Sequence, residues 1–163
     1  MKNFVTIAAA AFLFAGISSS ALAGSCPEDL PRTLGYWKTH SEMWPVSYVV
    51  VGNNQLGMDY IIENIAPLEA SPQGDAVVIL LHQLIPAKLN IAGGVNGAPV
   101  QSYIDDADAL IAQYWIGDYV DKDTREEMVE LAERLDEFNN GAYCELPVEL
   151  TAFEATADGT LVS

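Results

Sequence analysis

Two histidines, His40 and His82, are the residues of this chain best suited to proton transfer at neutral pH. An imidazole acts as a general base only with a nucleophile and an orienting acid within hydrogen-bond reach. The sequence has no Gly-x-Ser-x-Gly elbow, no His-Glu-x-x-His pair and no phosphate-binding loop to supply such partners. His82 falls between Val78 and Ile85 on an apolar face, beside the carbonyl that Pro86 leaves without its helical donor. It reads as a buried, hydrogen-bonded structural histidine. His40 has different company. Trp37, His40, Ser41 and Trp44 share one face if residues 34–44 form a helix. Two indoles flanking an imidazole could form a wall that binds a sugar or an aromatic ring, which makes Trp37, His40 and Trp44 the candidate binding residues. The same spacing equally describes the packing face of a short helix. A hydrolase-like enzyme using His40 or His82 with a carboxylate is the catalytic alternative.

Asp118, Asp121, Asp123 and Glu126 form the other cluster with ligand chemistry. Calcium takes six or more oxygens, and a flexible acidic loop can offer them, so a calcium-stabilised adhesion module is a further alternative. The spacing lacks the third alternating Asp or Asn and the central glycine of an EF-hand loop. Acids just before a helix are also favoured by its dipole without any metal. No cofactor is expected beyond that calcium alternative.

The elements that must position these residues follow from periodicity. Thr33 can cap a short helix that Pro45 stops near Trp44. Val46–Val51 is apolar and β-branched and is followed by the turn residues Gly52-Asn53-Asn54, which predicts a short strand or hairpin. A brief helix over Asp59–Ala66 ends at Pro67. Residues 75–92 are the most apolar stretch after the N-terminal segment, with Asp75 as cap, Gly93-Gly94 as stop and Pro86 as the site of a kink. Val100–Tyr114 predicts a helix with Asp105, Asp106 and Asp108 on its outer side. In the last helix Thr124–Glu127 matches a capping box, and Met128, Leu131, Ala132, Leu135 and Phe138 make an apolar stripe ended by Asn139-Asn140-Gly141. Past Cys144 the period changes to alternation, from Leu146 to Ala152, with a hairpin signal at Asp158-Gly159. The fold expected is mainly α: a small bundle of four to five helices, a short β-hairpin and a β-type C-terminal tail.

The address is exported. Lys2, the apolar run Phe4–Ile17 and the small-x-small site Ala21-Leu22-Ala23 mark residues 1–23 as a signal peptide, too short to span a bilayer. A helical domain over 24–145 and a strand-forming tail over 146–163 follow. The 163 residues carry 7 basic and 23 acidic side chains, a net charge of −16, which becomes −17 once Lys2 leaves with the leader. That balance disfavours nucleic-acid binding and docking on anionic lipid headgroups. Half the residues are apolar, which excludes a disordered acidic tail as the whole protein. The two cysteines, Cys26 and Cys144, bracket the helical domain, and in an oxidising compartment such a pair becomes a disulfide.

Gly35-Tyr36-Trp37-Lys38-Thr39-His40 with Trp44-Pro45 resembles the opening of a module found in exported bacterial surface proteins. Gln83–Asn90 is similar to that module's central helix and Leu135–Gly141 to its end, so the resemblance runs from about Cys26 to Cys144. It implies a surface setting and supplies no activity. The tail from Pro147 to Ser163 is similar to the first strands of a fibronectin-type module, cut short. The function expected is therefore a non-catalytic exported module, extracellular or periplasmic, with an envelope or extracellular protein or glycan as partner. No nucleic acid and no membrane span after leader cleavage are expected. Non-reducing peptide mapping of the exported protein should recover Cys26 linked to Cys144, a bridge worth about 4–5 kcal/mol over so long a loop. Two alkylatable thiols would refute the pairing.

Overall fold

A computed structural model of the chain describes residues 30–71 and 73–144. Residues 1–29, with Cys26 and the segment expected to be a leader, and residues 145–163 lie outside the described residues. Five helices and one antiparallel hairpin make up the regular structure of the described residues: α1 (Leu34–Thr39), β1 (Tyr48–Val51), β2 (Asn54–Gly57), α2 (Met58–Tyr60), α3 (Ala76–Ala92), α4 (Gln101–Ile111) and α5 (Lys122–Asn139). The protein is mainly α, as the periodicity predicts.

The organising element is α3. Eleven of its 17 residues are buried, so it is apolar around most of its circumference and must be covered on several sides. It is covered by α1, β1, α4 and, most extensively, α5. Asp75 caps it by accepting from the Val77 amide at 2.8 Å, and its other carboxylate oxygen takes the Gly117 amide at 2.7 Å. Gly93 and Gly94 end it, Gly94 at φ 105°, where a side chain would be strained. The helix runs unbroken through Pro86, whose ring is buried in the core. On α5, Met128, Leu131, Ala132, Leu135 and Phe138 are buried at the predicted spacing. Each fully buried side chain of this size stabilises by roughly 1.5–3 kcal/mol.

The hairpin pairs Tyr48 with Gly57 and Val51 with Asn54. Alternation turns Val49 and Val51 into the core and leaves Tyr48 and Val50 outside. Its turn is seated on the end of α4. Gly52 has φ 53°, and a Cβ there would stand 2.6 Å from the Ala112 amide nitrogen, so glycine is required on both counts. The Gly52 N–H donates to Asp108 Oδ1 at 2.9 Å, and the other Asp108 oxygen accepts from Lys88 Nζ on α3. Asp108 therefore joins hairpin, α4 and α3, instead of lying on an outer face with Asp105 and Asp106. Helical periodicity identifies the side of α4 away from Ile104 and Ile111 but not what abuts it.

Three further boundaries differ from the sequence expectation. The first helix ends at Thr39, His40 leaves helical geometry (φ −128°, ψ 56°), and a separate 3-10 turn covers Ser41–Met43. The Thr39 hydroxyl donates to the Gly35 and Tyr36 carbonyls at 3.1 Å and so supplies a local side-chain donor to the last turn. After α2 the chain continues as a π-helical turn over Ile61–Ile65, closed by the Ala66 amide on the Ile61 carbonyl. Finally, α5 starts at Lys122 with Asp121 as its cap, one turn before the predicted capping box.

Among the described residues two buried side chains are polar: Asn90 at 2% exposure and Asn139 at 1%. Asn90 accepts from the Arg32 amide (2.8 Å) and donates to the Arg32 carbonyl (2.9 Å) and to Asn139 Oδ1 (2.9 Å). Asn139 in turn donates to the Gln83 carbonyl at 2.9 Å and to Gln83 Oε1 at 3.1 Å. The pair ties the segment before α1 to α3 and α5. Asn139→Ala should cost about 2–3 kcal/mol in urea unfolding, because it strands a buried amide and a carbonyl. Asn90→Ala should cost a similar amount, and the double variant should lose less than the sum. Additive losses would show that the two amides do not act as one network.

Candidate aromatic site

α1 places its aromatic residues on two sides. Trp37 is 6% exposed and belongs to the core beside Leu34. The 3-10 turn brings Trp44 back so that its indole Nε1–H donates to the Trp37 carbonyl at 2.8 Å, and its ring packs half-buried on the core. His40 lies on the ring of Tyr36, with centroids 4.2 Å apart and planes 11° from parallel. Its Nδ1 sits 3.0 Å from the Tyr36 carbonyl oxygen and 2.9 Å from Thr39 Oγ1. The Arg32 guanidinium lies 4.8 Å from the same Tyr36 ring centre, and the Trp37 edge meets that ring at 5.3 Å and 82°.

The ring at the centre of this cluster is therefore Tyr36. Sequence reading singled out Trp37, His40 and Trp44 and passed over Tyr36 and Arg32. Arg32, Tyr36 and His40 stand at intervals of four in the sequence, although only Tyr36 lies within α1. Tyr36, Trp37 and Arg32 line a pocket of about 120 Å³, with Met43, Pro45, Asn90 and Val95 among the rest of its walls. A pocket of that size holds a small group, such as a ring or a short side chain, and not a ligand of several hundred Å³.

His82 is elsewhere. It stands eight residues before Asn90 on α3, about 12 Å along the axis. Its Nε2 is 2.9 Å from the Ile65 carbonyl oxygen, which the π-helical turn presents. The structure does not bring His40 and His82 together, and among the described residues no carboxylate is hydrogen-bonded to either ring.

The four acids before and within α5 are each engaged locally or left exposed. Asp118 accepts from the Trp115 amide at 2.7 Å. Asp121 accepts from the Asp123 and Thr124 amides and, at 2.7 Å, from the Thr124 hydroxyl. Glu126 faces Lys122 at 3.4 Å, an exposed pair, and Asp123 is exposed in the first turn. Among the described residues no three His, Cys, Asp or Glu side chains are arranged to hold a metal ion. No cysteine of the described residues is a free thiol, and no helix among them is long and apolar enough to cross a membrane.

No protein-family model, curated protein or solved structure matches this chain.

The Thr124 hydroxyl and then the Thr124 amide hold the Asp121 carboxyl below the usual carboxylate range. A depressed folded pKa means that the cap stabilises above the unfolded value and that this contribution is lost as pH falls through the folded one. Asp121→Asn should lower the melting temperature at pH 7, and the gap from the parent should close toward pH 2. A gap that persists at pH 2 would show that the charge of the cap is not what matters. Millimolar calcium should leave the parent's melting temperature unchanged, and a calcium-dependent rise abolished by Asp121→Asn would mark a metal site.

Proposed function

We propose that the protein is an exported, non-catalytic interaction module that engages an envelope or extracellular protein or glycan through the α1 segment. What supports this reading is the disposition of the chain's two imidazoles. Each lies against a main-chain carbonyl, His40 at Tyr36 and His82 at Ile65, and they lie apart on different elements. A main-chain carbonyl can orient an imidazole, but a catalytic centre also needs an acid and a nucleophile within reach of one ring, and among the described residues no carboxylate is bonded to either. The α1 segment instead offers stacked rings beside a small pocket, the kind of surface that holds a sugar face or an aromatic side chain.

The leader reading places the mature chain outside the cytoplasm, extracellular or periplasmic, where a −17 protein meets polymers and proteins rather than nucleic acid. A disulfide between Cys26 and Cys144 would close the domain at its ends.

The test pairs binding with catalysis. Exported parent protein should be retained on isolated envelope fragments or on a glycan array, and Tyr36→Ala or Trp44→Ala should reduce retention at least tenfold with folding preserved by circular dichroism. Hydrolysis of p-nitrophenyl esters should stay at the buffer rate. Turnover that disappears in His40→Ala or His82→Ala would replace this reading with the hydrolase.

A further inference from the structure

We propose that the pocket beside α1 binds the carboxylate of a small acid carried on an apolar body, with the Arg32 guanidinium as its anchor. The proposal rests on the non-catalytic reading and adds the chemistry of what is held. The walls supply a charged donor without a matching acceptor. The Arg32 side chain makes no hydrogen bond or ion pair among the described residues. This is notable in a chain with 7 basic and 23 acidic side chains, where Lys88, Lys122 and Arg134 each face a carboxylate. Its contact is with the Tyr36 ring, which leaves the guanidinium fork unused.

Arg32 is held in position. Its amide and carbonyl are both bonded by Asn90, an amide 98% removed from solvent and itself bonded to α5. A second pocket residue, Trp37, carries a buried Nε1–H with no acceptor. Both amide hydrogens of Asn90 are committed, to the Arg32 carbonyl and to Asn139, and its oxygen takes the Arg32 amide. A molecule that fits must therefore bring acceptors of its own.

Charge and size narrow the class. Among the described residues no Asp or Glu lines this pocket, whereas the grooves along α5 are rimmed by Glu133 and its neighbours. The chain is uncharged from Met43 through Met58, which contributes Met43 and Pro45 to the walls. The acids elsewhere are screened beyond about 8 Å at physiological ionic strength. One guanidinium balances one monoanion, and a planar carboxylate meets the fork with two parallel bonds. A phosphate dianion would bring a second negative charge with no second cation in the walls to meet it. Leu30, Met43, Pro45 and Val95 then cover an apolar body of one ring or one branched side chain. Two sources have this chemistry: a free monocarboxylic acid and the carboxyl terminus of a peptide.

The experiment is a titration of the exported full chain followed by NMR, with the Trp37 indole N–H resonance, assigned using Trp37→Phe, as reporter. Benzoate should shift that resonance saturably at millimolar concentration, and benzamide, its neutral isostere, should not. Arg32→Gln should weaken benzoate binding at least tenfold while the fold is kept and the melting temperature falls only slightly, because the Asn90 bonds use the main chain of residue 32 and only the Tyr36 contact is lost. N-acetyl-Leu-Phe with a free carboxyl terminus, compared with its amide, separates the sources. Saturation by the peptide acid alone assigns a chain terminus, and saturation by benzoate as well assigns a free acid. A flat titration with both acids, an equal response to benzamide, or unchanged benzoate binding in Arg32→Gln would overturn the proposal. Those outcomes leave envelope retention untouched, and ester hydrolysis dependent on a histidine would overturn the non-catalytic reading without altering the carboxylate titration.

Discussion

The amide pair Asn90–Asn139 sets the relation between the two long helices on which the rest of the domain is hung. Hydrophobic contact between α3 and α5 is non-directional: Leu, Ile and Val side chains can meet in several registers at similar energy. Buried amides cannot. With Asn90 and Asn139 at 2% and 1% exposure, a one-turn slip would leave polar groups without partners in an apolar interior. Asn90 also reaches back to both main-chain groups of Arg32, so the register of the helices carries over to the start of α1. The aromatic cluster and the pocket inherit their geometry from that link.

A second polar junction does the same for the hairpin. Two strands alone are marginal in water, and four-residue strands more so. Here the turn is drawn onto α4 by the Gly52 amide on Asp108, and Asp108 is held by Lys88 from α3. The pair is partly exposed, at 20% and 28%, so its Coulomb energy is screened and its main contribution is positional. Gly52 makes the seat possible because no Cβ intrudes on Ala112.

What was legible in the sequence is what depends on near neighbours. The stripe from Met128 to Phe138, the apolar run of α3, the Asp75 cap and the alternation of Tyr48–Val51 express periods of 3.6 or 2 and local capping chemistry. What was not legible depends on partners far along the chain. Asn90 meets Arg32 across 58 residues and Asn139 across 49, and an asparagine at a helix end reads as a stop signal when seen alone. The break at His40 was hidden for another reason. The Thr39 hydroxyl donates to the carbonyls of Gly35 and Tyr36, a competition that hydrophobic spacing does not record, and the helix stops at Thr39, before His40 and Trp44 can share a face with Trp37. The same break turned attention from Tyr36, the ring on which His40 and Arg32 converge.

Electrostatics decides where such a protein can be approached. At −16, most of its surface repels polyanions and other copies of itself, and the acid-rimmed grooves along α5 share that character. The stretch from Met43 to Met58 is the exception, with no charged side chain over 16 residues, and it leaves Met43, Val46, Tyr48 and Val50 exposed. It abuts the pocket that holds Arg32. An uncharged apolar rim lowers the desolvation penalty of contact, and a single cation set behind it selects for one negative charge without drawing in the protein's own acids. Interaction and specificity thus fall on the same face. The aromatic residues of α1 stand there because the buried amides behind them leave no other register.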